Sequence, residues 1–136
     1  MTEQRKRILV PTSGYLPAKE RGDAIIDIAK RLSADILVVH IRDPKYITAT
    51  VKETQGWEAL RLFEEKGRNS GVHVTAFFTS GPLVETLKRF VEENKVDLIL
   101  IGASPGRLVA EWITHDLLKE CDVPILIVPQ DLSDLL

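Results

Sequence analysis

The chain has 136 residues, 44% of them apolar and 28% charged, with a single cysteine and a formal charge of −2. That is the length of one domain, 1–136, able to build a core without disulfides or metals, and the lone Cys121 excludes an internal disulfide and a multi-cysteine zinc site. Eighteen basic and twenty acidic side chains, in no long block of one sign, exclude the clustered basic surface with which a nucleic-acid binder neutralises phosphates.

The polar lead Met1–Arg7 precedes only the short apolar run Ile8–Pro11, without the apolar stretch of a secretory signal. No run approaches the roughly 20 apolar residues that span a bilayer. The expected setting is therefore cytoplasmic, with no membrane insertion.

Five short runs read as strands, being apolar, β-branched and bounded by Gly or Pro. They are Ile8–Pro11, Ile36–Ile41, the more mixed Val72–Thr79, Leu98–Ile101 and Ile125–Val128. Unbroken apolarity in all but the third predicts burial on both faces, as in a parallel sheet covered by helices. Between them lie stretches of helical period. Ile25, Ile28, Ala29 and Leu32 mark a helix over about Ala18–Leu32, and Leu60 and Phe63 mark a weaker one over about Gln55–Asn69. Leu83, Leu87, Phe90 and Val91 mark a third over Pro82–Asn94, with Pro82 placed in its first turn, where a missing N–H costs nothing. Val109, Trp112, Ile113 and Leu117 mark a fourth over about Leu108–Cys121. The order βαβ, a loop over Asp43–Thr54, then αβαβαβ predicts a layered α/β fold with right-handed crossovers.

Ligands of such folds sit beyond the carboxyl ends of the strands, where the strand order reverses. The residues there are Thr12, Ser13 and Gly14; Arg42 and Asp43; Thr79, Ser80 and Gly81; and Gly102, Ala103 and Ser104. No Walker loop and no dinucleotide GxGxxG occurs among them. A phosphoacceptor receiver needs carboxylates where this chain has Ser13 and Ser80. The histidines make no catalytic set. His40 is expected to be a hydrogen-bonded core residue, His73 to face solvent, and His115 to have no spacing that supports pairing with Ser104. Glu64-Glu65 and Glu92-Glu93 read as solvated helix faces, and Cys121 as buried and inert. Trp112 reads as core or interface, and Trp57 as a lid over the groove.

Four segments together resemble the universal stress protein (UspA-like) family, a branch of the adenine-nucleotide α-hydrolase-like superfamily. Arg7-Ile-Leu-Val-Pro-Thr12 is like that family's first strand, and Ala34-Asp-Ile-Leu-Val-Val-His-Ile41 is like its second, histidine included. Val96-Asp-Leu-Ile-Leu-Ile-Gly-Ala103 resembles its fourth strand, and Asp122-Val-Pro-Ile-Leu-Ile-Val-Pro129 its last. The resemblance implies a three-layer sandwich: a five-stranded parallel sheet in the order 3-2-1-4-5 with helices on both faces. It also implies a homodimer and a groove between the ends of strands one and four.

Some members of that family bind ATP in the groove through G-x2-G-x9-G-[ST] and an acidic residue after the first strand. Glycines there let backbone N–H groups approach phosphates at a helix N-terminus. The present sequence departs from this motif. Ser13 stands where the acid is expected, Gly102 and Gly106 are separated by three residues, and Asp116-Leu117 replaces the terminal Gly-Ser/Thr. Glu111, Trp112 and Asp116 bring charge and bulk that oppose a triphosphate. The expected function is a non-catalytic dimeric regulatory or stress-response module, not an enzyme, that takes no cofactor and does not bind ATP in the usual way. The alternative is an ATP-binding stress protein, with magnesium and slow or no hydrolysis. Carrying the family's groove over by matching strand ends gives Thr12, Ser13, Ile41, Gly102, Ser104, Gly106 and Arg107 as its nucleotide-binding residues, Arg107 offering a charge-assisted bond to phosphate. In the implied order, Val123–Pro129 lies at a sheet edge, where an apolar strand invites pairing with a second copy.

Overall fold

The computed structural model describes residues 5–12, 15–42, 53–103 and 115–129. The elements run β1 (Lys6–Pro11), α1 (Tyr15–Arg31), β2 (Ala34–Arg42), α2 (Glu53–Ser70), β3 (Val74–Ser80), α3 (Leu83–Asn94), β4 (Leu98–Ala103) and β5 (Ile125–Pro129). Residues 115–120 are also helical. All five strands pair in parallel in the order β3-β2-β1-β4-β5. The expected sheet is thus the observed one.

The strands form where their apolar runs can be buried on both faces. Alternate residues of β1 and β2 divide between two cores. Ile8, Val10, Ile36 and Val38 join Ile25, Ile26 and Ala29 of α1 and Ala59, Leu60 and Phe63 of α2. Leu9, Leu37, Val39 and Ile41 join Leu87 and Val91 of α3 and Leu117. The sheet is therefore the middle of three layers. β5 departs from the expected burial on both faces: Leu126 and Ile127 are 42% and 47% exposed, because only β4 flanks this edge.

Element ends follow local backbone chemistry. α1 stops at Arg31, and Ser33 takes a left-handed conformation (φ 53°) that turns the chain into β2. Leu32, read as the end of α1's apolar stripe, falls past the helix and is exposed. β3 starts at Val74, two residues later than the apolar run. The Val72 N–H still bonds to the Gly67 carbonyl at the end of α2, and sheet contact begins with the Ile36 N–H on the His73 carbonyl. Pro82 sits just outside α3 at its N-cap, and Lys95, left-handed at φ 51°, caps its carboxyl end with its N–H bonded to the Val91 carbonyl. The seam between β1 and β4 is pinned at its start. The Asp97 carboxylate accepts the Arg7 N–H at 2.9 Å, the Asp97 N–H bonds to the Arg7 carbonyl, and the Arg7 guanidinium reaches the Asn94 carbonyl at 2.8 Å.

Gly67 shows how closely α2 lies on the sheet. A methyl group there would stand 2.4 Å from Val74 Cγ2 and 2.7 Å from the Val72 carbonyl oxygen. Gly67→Ala would gain about 1 kcal/mol of helix propensity, but overpacking costs about 1–3 kcal/mol. We expect a net loss of roughly 1 kcal/mol, read as a lower urea midpoint.

Candidate functional site

The strand order reverses at β1, which has β2 on one side and β4 on the other. In sheets of this topology the crossovers on the two sides of such a strand depart in opposite directions and leave a crevice beyond the carboxyl ends. Thr12 stands at the exit of β1, Ile41 near the end of β2 and Gly102 near the end of β4. Of the expected groove residues, these three are therefore brought to one end of the sheet. Ser13, Ser104, Gly106 and Arg107 lie outside the described residues, as do Glu111, Trp112 and the loop before α2. Ile41 is buried in the α3-side core.

The backbone of Thr12 is already committed. Its N–H donates to the Val39 carbonyl at 2.9 Å, and its carbonyl lies 3.0 Å from His40 Nδ1. A carbonyl only accepts, so Nδ1 carries the proton. What Thr12 retains for a ligand is its hydroxyl.

His40 is 5% exposed and, as expected from the sequence, is a hydrogen-bonded core residue. Burial pushes its pKa below the ordinary histidine value, against the opposing pull of the Thr12 carbonyl. Its ring lies 5.2 Å from that of Phe78, its register partner on β3. On α2, a methyl built at Gly56 would stand 2.5 Å from His40 Cδ2 and 2.7 Å from Nε2. Trp57 stacks on Phe78 at 4.7 Å and 11° with half its surface exposed. It covers β3, which β2 separates from the β1–β4 crevice, so it is not the lid expected from the sequence.

Sequence reasoning missed the contact between Gly56 and His40. A signal existed: a glycine inside a helical stretch costs about 1 kcal/mol against alanine, so its presence asks for a close neighbour.

The remaining candidates are dispersed. His73 is exposed, with Nε2 3.4 Å from the Thr75 hydroxyl, and His115 is exposed. Glu65, Glu92 and Glu93 are exposed and Glu64 is partly so, as expected for helix faces. Asp116 lines a groove of about 590 Å³ against α3, with Glu85, Lys88, Arg89, Glu92 and Glu120. Glu120 bonds Lys88 at 3.3 Å and raises its pKa. Cys121 is buried, and burial pushes its thiol pKa up, which disfavours the reactive thiolate. Among the described residues, no group of three His, Cys, Asp or Glu side chains is placed to hold a metal, and no helix is long and apolar enough to cross a membrane.

The Universal stress protein family profile matches residues 4–129. The chain belongs to the universal stress protein family. Its sequence is 24% identical to a universal stress protein of Methanocaldococcus jannaschii, over 90% of this chain and 81% of that one. Its fold is similar to that of a universal stress protein solved in complex with cAMP, at a TM-score of 0.69 and 17% identity, over 95% of this chain and all of the other. An Arabidopsis thaliana family protein with AMP bound superposes at a TM-score of 0.67 and 14% identity, over 95% of this chain and 94% of that chain. The five-stranded parallel α/β sheet is thus the fold shared with these universal stress proteins.

The packing of this universal stress protein around His40 predicts a coupled pair. Gly56→Ala should destabilise the native chain by about 1–3 kcal/mol through overpacking. In a His40→Ala background the same change should be neutral or stabilising, because the ring is gone and the helix-propensity gain remains. Urea unfolding of the four proteins should give a coupling of at least about 1 kcal/mol.

Proposed function

We propose that this universal stress protein is a non-catalytic regulatory module that works in the cytoplasm as a homodimer paired through Val123–Pro129, without holding ATP in the usual way and without a nucleic-acid or membrane partner. The observation that carries this reading is the edge strand β5. Its consecutive residues Leu126 and Ile127 point to opposite faces of the sheet, and both are about half exposed. Its outer backbone groups have no pairing strand among the described residues. An apolar edge of this kind is satisfied by a two-fold copy of itself, which covers both faces and the backbone together. Pro124 and Pro129 bracket the segment and limit how far such pairing runs.

Against a triphosphate stand Ser13 in place of the acid, the altered glycine spacing at Gly102 and Gly106, and the missing terminal Gly-Ser/Thr. A second reading is favoured by the cAMP and AMP carried by two structural neighbours. A monophosphate asks less of the Gly102–Arg107 segment than ATP with magnesium does. The Thr12 hydroxyl, Ser13, Ile41, Gly102, Ser104, Gly106 and Arg107 would form its site.

Two measurements test these readings. Ile127 is 47% exposed, so a lysine there reaches water in the single chain and leaves the fold intact. Ile127→Lys should raise the dimer dissociation constant at least about tenfold, roughly 1.4 kcal/mol. Sedimentation at several concentrations reads this, and an unchanged mass would remove β5 from the interface. In calorimetry at millimolar ligand, ATP with magnesium should give no saturable heat. Saturable heat with AMP or cAMP, lost in Gly102→Val, would establish the second reading.

A further inference from the structure

We propose that His40 is a pH-sensitive latch that holds the first turns of α2 against β2 and β3 and releases them when the ring takes a second proton. The proposal concerns a group that neither reading above uses, and it stands whichever of them holds.

The geometry supplies the latch. His40 joins three elements at one point. Nδ1–H donates to the Thr12 carbonyl at the exit of β1. Nε2 and Cδ2 press on α2 at Gly56, where no side chain intervenes. The ring lies beside Phe78 of β3, which carries Trp57 of α2 stacked on its face. The neutral ring therefore satisfies its one donor and leaves Nε2 bare against apolar and backbone atoms.

Protonation upsets this balance at Nε2. The new N–H would point into the α2 contact at Gly56, whereas the ring's hydrogen bond to the Thr12 carbonyl is made through Nδ1. β1 and β3 carry no carboxylate, and Glu58, next to Trp57 on α2, is exposed; the influences on the ring are burial and the Thr12 carbonyl. Arg42, two residues along on the same face of β2, is exposed and brings a like charge. His73 lies at the far end of β3. A charged ring is therefore stable only if α2 lifts and admits water or if the ring swings out. Either movement breaks the packing of Gly56 on the ring, and lifting α2 also carries Trp57 off Phe78.

The direction with pH follows from linkage. The docked ring has a lowered pKa, and a released ring has the ordinary value of 6.5. Docking is then fully stable above 6.5 and weakens as pH falls below it. The opening equilibrium should grow by up to about tenfold per pH unit until the docked ring itself is protonated.

The test uses the full chain between pH 8 and pH 5. A Trp112→Phe background leaves Trp57 as the sole tryptophan. Histidine NMR should show His40 titrating below 6.5, with a red shift of Trp57 emission at the same midpoint. Amide exchange over residues 53–62, corrected for intrinsic rates, should show the opening constant rising while α3 stays protected. His40→Asn, whose amide can donate to the Thr12 carbonyl but does not titrate, should abolish both changes. A flat Trp57 signal through the His40 titration overturns the proposal, as does a transition that survives in His40→Asn. If His40→Asn does not fold, the variant His73→Gln/His115→Gln leaves His40 as the only histidine. Retention of the transition there supports the latch, and its loss overturns it.

Discussion

β1 is the strand on which the structure depends. Its residues Ile8, Leu9 and Val10 are sealed, with β2 on one side, β4 on the other and a helical layer on each face. A strand in this position must be apolar on both faces, because every side chain meets a core. It must also be crossed over in both directions, since β2 and β4 are parallel to it on opposite sides. The crevice at its carboxyl end is therefore not an added feature. It is the gap left where the two crossovers diverge, and any chain folded this way has one.

The same constraint explains why His40 is tolerated. Below it on the α2-side face of β2 lie Ala34, Ile36 and Val38, all sealed in one core. At position 40 the strand still pairs with β3, but its β1 neighbour has run out at Pro11, and the Thr12 carbonyl lies against the His40 ring instead of continuing a ladder. A buried imidazole costs stability unless its donor is satisfied, and the unpaired carbonyl beside it supplies the acceptor. The two groups solve each other's problem. Gly56 then lets α2 come down onto the ring.

The apolar runs and helical periods made the sheet legible in the sequence, because two-sided burial leaves a continuous signature in β1, β2 and β4. The resemblance supplied the strand order, which periodicity alone does not contain. Misreadings fell where tertiary geometry decides. Leu32 keeps the period of α1 but follows its last helical residue, since Ser33 has already turned the chain. β5 looks like a doubly buried strand, yet its place at the edge leaves Leu126 and Ile127 half exposed, and composition cannot distinguish the two cases. The site was legible only in part. Thr12, Ile41 and Gly102 meet at one end because strands end there, whereas the contact of His40 with Gly56 joins residues on a strand and a helix whose approach no local pattern encodes.

The two edges of the sheet are finished differently, and this difference bears on where the proposed second copy would dock. β3 is the longer edge and carries two phenylalanines on opposite faces. Each has an aromatic cover: Trp57 stacks on Phe78, and Phe90 of α3 meets Phe77 edge-on at 5.1 Å and 70°. Side chains of neighbouring helices thus wrap both faces of β3, and a strand added there would have to displace or ride over them. β5 has no such cover among the described residues; Leu126 on one face and Ile127 on the other stand half open. Association removes apolar area from water only where that area is still exposed. The gain from pairing is therefore larger at β5, although β3 offers more backbone. Phe78 of this edge is also the ring that His40 meets at 5.2 Å, so the proposed shift of α2 would uncover β3 while β5, at the opposite side of the sheet, keeps its surface.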